Sequence, residues 1–219
     1  MIDPLNIEQL DLPAVSTNDI LYLGCSYTQG VGVELTQRYS HIISKLLGKN
    51  EVNLSAGGKG NYRSFDLFGQ LDITEGTIVV LQLTELSRIR WYDDNSINDI
   101  MLSNQPTRQL VYTYNDKFCI YDTIRQLRIV VNYCRVKKLK LIIWSIARFN
   151  NEFLDNTFEY YLSKFPEYIY LDNSLDGVNS YRVDNGSDGN ETLGTGHPGL
   201  RSHNIIAEKL IVHLEKLYT

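Results

Sequence analysis

Near its start the sequence runs Leu21-Tyr22-Leu23-Gly24-Cys25-Ser26-Tyr27-Thr28-Gln29-Gly30. A short apolar run, Ile20–Leu23, ends at a glycine, and a serine and further small residues follow before a helix. Such a run reads as a buried strand that turns into a helix at its carboxyl end. Two readings of Ser26 stand side by side at that turn. In one, its hydroxyl caps exposed backbone N–H groups. In the other, it is a nucleophile at the rim of a sheet, where helix-terminus N–H groups favour an oxyanion.

Outward from this stretch the same alternation continues. Ile78–Leu83 and Leu139–Trp144 are nearly continuous apolar runs, as expected for strands covered on both faces. Glu51–Leu54 and Tyr168–Leu171 are weaker strand candidates. Between the strands, Tyr39, Ile42, Ile43, Leu46 and Leu47 keep helical spacing, and Gly48 supplies a stop. Ile124, Leu127, Val131 and Cys134 form a second stripe, and Ile206, Leu210, His213, Leu214 and Leu217 a third. Strands alternating with helices define an α/β domain with a parallel sheet. Ser87–Tyr121 and Asp172–Gly196 fit no regular element; both leave carboxyl ends of strands, where open α/β sheets bind ligands.

The composition is that of a folded globular chain: 219 residues, 43% hydrophobic and 21% charged. This length suits one domain, taken as residues 1–219. With 21 Lys+Arg against 26 Asp+Glu, the formal charge is −5. A nucleic-acid partner is not expected, because the only basic run, Arg135–Lys140, ends a helical pattern where cations are favoured anyway. Cys25, Cys119 and Cys134 are odd in number and lack metal-like spacing, so neither a disulfide scaffold nor a metal is expected. Met1-Ile2-Asp3-Pro4 shows no signal peptide, and no run approaches the roughly 20 apolar residues of a membrane span. A cytoplasmic location is the resulting expectation.

Two further segments carry candidate chemistry. Asn53-Leu54-Ser55-Ala56-Gly57-Gly58-Lys59-Gly60-Asn61 follows the second strand, and its glycines let backbone N–H groups approach a ligand. It is no phosphate loop, since Lys59 precedes neither Ser nor Thr, and GxGxxG is missing after the first strand. Gly196-His197-Pro198-Gly199 precedes the last helix and places His197 on a turn, free to reach inward. His41 and His213 lie within helices and read as structural; His203 reads as a surface residue.

Taken in order, these segments resemble three blocks of the SGNH (GDSL-type) hydrolase family over roughly Asp19 to Lys216. They are Gly-x-Ser-x-x-x-Gly from Gly24 to Gly30, Asn-x-x-x-x-Gly from Asn53 to Gly58, and the His197-Pro198 turn before the terminal helix. Cys25 stands where the family usually has Asp. The resemblance implies a three-layer α/β/α sandwich around a mostly parallel five-stranded sheet in flavodoxin-like order. It further implies a serine hydrolase acting on an O-acetyl or other acyl ester of a carbohydrate or small molecule, without a cofactor. Ser26 is then the nucleophile, and His197 the general base and acid. The backbone N–H groups of Ser26 and Gly58 form the oxyanion hole, with Thr84 as a third donor. Asn61, Arg88 and Trp91 are the expected substrate contacts.

The chain departs from the family pattern twice. A further block of the family, Gly-x-Asn-Asp, is replaced by Leu81-Gln82-Leu83-Thr84-Glu85-Leu86-Ser87-Arg88. Two and three residues before His197, where the triad acid usually stands, are Thr195 and Gly194; Asp184 and Asp188 are the nearest acids. These absences motivate an alternative of a different class, a catalytically impaired domain of the same fold that binds a glycan or protein partner.

Overall fold

The computed structural model describes residues 12–86, 88–92, 97–101, 116–147, 152–171, 180–188 and 196–217. Four strands form the main sheet: β1 (Asp19–Leu23), β2 (Asn50–Asn53), β3 (Ile78–Leu83) and, after a separate hairpin of β4 (Arg88–Tyr92) and β5 (Ile97–Met101), β6 (Lys140–Ser145). Every neighbour in the main sheet is parallel, in the order β2-β1-β3-β6. That is the flavodoxin-like order, with the crossover at β1 and β3 opening a crevice above their carboxyl ends.

Side chains alternate along each strand and so feed two cores. Leu21 and Leu23 of β1 and Val79 and Leu81 of β3 pack with α3 (Asn61–Gln70), α4 (Asp116–Val136) and α5 (Glu152–Leu162) on one face. Ile20, Tyr22, Val80 and Trp144 face α2 (Tyr39–Leu46) and α6 (Leu200–Glu215) on the other. The shortest helix, α1 (Ser26–Gln29), lies at the exit of β1. Each fully buried aliphatic side chain contributes about 1.5–3 kcal/mol, so both layers are held chiefly by apolar burial. No helix among the described residues is long and apolar enough to cross a membrane.

Three expectations need correcting. The sheet has four strands, not five: Tyr168–Leu171 makes one parallel bridge, between Ile143 and Tyr168. Ile169 and Leu171 are buried beside Trp144 and give the sequence its strand-like period, but the backbone meets β6 only around Ile143. Ser87–Tyr121 is not wholly irregular, since it holds the β4–β5 hairpin and the first turns of α4. A two-stranded ribbon outside the main sheet lacks the continuous apolar run by which the sheet strands are recognised. Residues 87, 93–96, 102–115, 172–179 and 189–195 of the two long segments lie outside the described residues. His203, finally, is fully buried under α2 rather than on the surface.

Candidate active site

The carboxyl ends of β1, β2 and β3 bring the first two sequence blocks together. Ser26 opens α1, and the preceding N-cap position belongs to Cys25, whose side chain makes no capping bond. The Ser26 hydroxyl is therefore not a helix cap; it donates only weakly to Cys25 Sγ, 3.8 Å away. Gly30 closes this helix with φ 83°, its N–H donating to Ser26 O at 3.0 Å. Beyond the end of β2, Ala56 N–H still donates to Gly24 O at 3.2 Å, and Gly57 N–H donates to Gln29 Oε1 at 2.7 Å. These bonds lay the glycine turn over Ser26. Gly58 is exposed, with φ 74° and open space where a side chain would stand.

Gln82 holds the Ser26 turn from beneath. It is the one polar side chain of β3 and is fully buried. Its Oε1 accepts from Thr28 Oγ1 at 2.5 Å and from Cys25 N–H at 3.3 Å, while Nε2 donates to Cys25 Sγ at 3.3 Å. Thr28 in turn bonds the Tyr39 hydroxyl at 2.8 Å, and Tyr39 N–H donates to His203 Nδ1 at 3.2 Å. A Cβ at Gly24 would stand 2.6 Å from Thr28 Oγ1 and 2.7 Å from Gln82 Oε1. Only glycine leaves room for this network.

Thr84 follows β3 and is buried, with a hydroxyl that has no hydrogen-bond partner among the described residues. Asn61 holds its peptide from both sides: Thr84 N–H donates to Asn61 Oδ1 at 2.8 Å, and Asn61 Nδ2 donates to Thr84 O at 3.3 Å. The Asn61 carboxamide thus joins the second block to the end of β3. Arg88 opens β4 against Gly60, whose Cβ would fall 2.7 Å from Arg88 O. Trp91 lies on the same strand, in register with Asn98 of β5.

The third block is built by two segments that run antiparallel, bridged at Asn185 and Pro198. Gly186 N–H donates to His197 O at 2.8 Å, and Ser187 N–H to Gly32 O at 2.7 Å. This pairing turns Asp188 back onto His197, and Asp188 Oδ2 meets His197 Nδ1. Gly32, with φ 92°, is required here, because a Cβ would overlap the Asp188 carboxylate and stand 3.1 Å from Gly186 Cα. Partial burial pushes the Asp188 pKa up, but the hydrogen bond and charge of His197 outweigh it and hold the carboxyl below its usual range. An ionised carboxylate only accepts, so Nδ1 is the donating nitrogen of this pair.

Asp184, the other nearby acid, has a different task. Its carboxylate accepts from Arg201 N–H at 2.9 Å and from Ser202 N–H at 2.8 Å, satisfying orphan donors at the start of α6. The Tyr27 ring packs edge-on against the His197 ring, centroids 5.6 Å apart, which brings the third block onto the residue next to Ser26. Arg182 lies over Tyr27 at 5.8 Å and donates from Nη2 to Gly196 O at 3.2 Å. No motif marks Gln82 or Arg182 in the sequence; of the two acids nearest His197, Asp188 meets its ring and Asp184 holds the start of α6. Among the described residues, no cluster of three His, Cys, Asp or Glu side chains is placed to hold a metal ion.

A parallel sheet of this order, with a serine turn after its first strand, a glycine turn after its second and a late histidine turn, is the SGNH hydrolase fold. Solved structures agree. The structure called TesA superposes with a TM-score of 0.56 at 14% identity, covering 91% of this chain and 99% of its own. A lipolytic protein of the G-D-S-L family from Veillonella parvula gives 0.52 at 11% identity, covering 90% and 98%. A family two carbohydrate esterase from Clostridium thermocellum, solved with cellohexaose, gives 0.54 at 12% identity, covering 93% of this chain and 65% of its own. No protein-family model and no curated protein matches the sequence. At these identities the likeness establishes the fold.

Proposed function

We propose that this chain, as one SGNH-type domain, hydrolyses acyl esters, an O-acetyl or similar ester of a carbohydrate or small molecule. The observation that carries the reading is the Asp188–His197 pair beside Tyr27, since it orients an imidazole next to the serine turn. His197 Nε2 takes the proton of Ser26 Oγ as the oxygen attacks the acyl carbon. The oxyanion so formed is held by the N–H groups of Ser26 and Gly58. Collapse of the intermediate breaks the ester C–O bond, and His197 returns the proton to the departing alcohol. Water then attacks the acyl-serine by the same route, releasing the acid and freeing Ser26. Asp188 stays ionised throughout and stabilises the imidazolium.

The third oxyanion donor is the weak point. The segment after β3 carries no Asn, Thr84 being the candidate donor there, and losing one donor costs about 2.7–4 kcal/mol of transition-state stabilisation. A slow enzyme follows, unless the buried Thr84 hydroxyl turns toward the oxyanion. The missing Asn also favours a second reading, a non-hydrolytic domain that binds a glycan or protein. Labelling with a fluorophosphonate separates the two, because it requires an activated serine. Labelling of wild type and none of Ser26→Ala supports the hydrolase; no labelling of either supports the binding domain.

A further inference from the structure

We propose, resting on the hydrolase reading, that the site selects esters bearing an anionic group, held by Arg182 beside His197 and Arg88 beside the Gly58–Gly60 turn. Both side chains are short of acceptors. Arg182 satisfies one nitrogen on Gly196 O, while its buried Nε has no partner among the described residues. Buried Nε and Nη1 of Arg88 also have no hydrogen-bond partner among the described residues. Glu85 Oε2 comes within 3.4 Å of Arg88 Nε, but the two atoms are not aligned as a hydrogen bond. A guanidinium cannot shed its charge, so buried, unsatisfied N–H groups are costly to keep without an incoming acceptor.

Tyr27 feels both cations. Arg182 lies over the Tyr27 ring. Burial raises the Tyr27 hydroxyl pKa, and the charges of Arg182 and Arg88 both pull against that rise. Arg88 packs on Gly60, two residues past the Gly58 of the oxyanion turn. Among the described residues, Asp188 is committed to His197 and Glu85 stands beside Arg88 without a hydrogen bond from its Nε, so neither acid satisfies the open N–H groups of the two arginines. A carboxylate or comparable oxyanion on the substrate supplies the missing acceptors through charge-assisted bonds. It can belong to the acyl part or to the alcohol part.

Three phenyl esters test this: neutral phenyl acetate, para-acetoxybenzoate with the anion on the alcohol, and phenyl hemisuccinate with the anion on the acyl group. The expected kcat/KM is at least about tenfold higher for one anionic ester than for phenyl acetate, the size expected of one charge-assisted hydrogen bond. That ratio should fall toward unity in Arg182→Gln and Arg88→Gln, mainly through KM, and recover in the corresponding Lys variants. Which anionic ester wins assigns the anion to the acyl or alcohol side. Calorimetric binding of para-hydroxybenzoate against phenol to Ser26→Ala gives a readout without turnover. If no ester is hydrolysed above the Ser26→Ala rate, the hydrolase reading fails, and this binding arm decides the anion site alone. Equal ratios in wild type and both Gln variants overturn the proposal, as does equal binding of the two phenols when para-acetoxybenzoate is the preferred ester or when no ester is turned over.

Discussion

His197 Nδ1 faces the carboxylate of Asp188, nine residues earlier in the chain. The antiparallel bridge between Asn185 and Pro198 makes that contact, not closeness in sequence. Asp188→Asn should therefore leave the fold intact but allow the wrong imidazole tautomer, lowering kcat by roughly a thousandfold or more. Asp184→Asn should behave in the opposite way. It weakens the cap of α6 and costs about 1 kcal/mol of stability, with little change in kcat. Steady-state kinetics and urea melts of the two variants separate the roles; equal effects on kcat would remove Asp188 from its position as the supporting acid.

The buried His203 makes stability depend on pH. Burial is the chief cause that lowers its pKa to about 4, with Arg38 and His197 adding to the fall and Asp184 opposing it. In the unfolded chain the same ring titrates near the ordinary histidine value of 6.5. Between these values the unfolded state binds the extra proton, so stability is full above pH 6.5 and declines as pH falls toward about 4. The total loss is roughly 3 kcal/mol. Denaturation midpoints across this window should fall in wild type and flatten in His203→Gln, whose amide oxygen can still accept from Tyr39 N–H. A wild-type curve with no acid slope from this group would contradict the buried neutral ring.

Gln82 tests whether the serine turn is held from below. Gln82→Leu keeps the approximate volume but leaves Cys25 N–H without its side-chain acceptor and removes one partner of Thr28. An unsatisfied buried polar group costs about 1–3 kcal/mol, so a loss of that size is expected in urea unfolding. Because the turn carries Ser26, kcat should fall about tenfold or more while KM stays nearly constant, the mark of a misplaced nucleophile. A stability loss with unchanged kcat would show that other contacts hold the turn.

Much of this fold is legible in the sequence because β1, β3 and β6 are buried on both faces and leave continuous apolar runs. The same rule hides Gln82, since a single polar residue inside such a run looks like a tolerated exception. Tyr168–Leu171 shows the limit of alternation: the period reports which side chains are buried, not whether the backbone ladder forms. His203 was legible in principle. It lies on the stripe with Ile206, Ala207, Leu210 and Leu214, and that spacing places it on the buried face of α6. Asp188 was not, because its pairing depends on the register of two irregular segments, for which no periodicity exists. The serine, glycine and histidine turns were readable because each follows or precedes a regular element at a fixed distance.

Cys25 adjoins Ser26, and a thiolate is intrinsically the stronger nucleophile, so the two compete as the attacking atom. Cys25 is wholly enclosed, its sulfur accepting from Gln82 Nε2 at 3.3 Å and from Ser26 Oγ at 3.8 Å. A reactive cysteine needs access and a cationic neighbour, whereas this one serves as a small packed residue at the N-cap position of α1. Cys25→Ala should thus cost about 1–2 kcal/mol through the lost packing and hydrogen bonds, and keep most of the activity. Ser26→Ala should abolish turnover and fluorophosphonate labelling together. Iodoacetamide should leave the native enzyme active, since it cannot reach the sulfur without opening the turn. If alkylation inactivates the protein while Ser26→Ala still turns over, the chemistry belongs to the thiol.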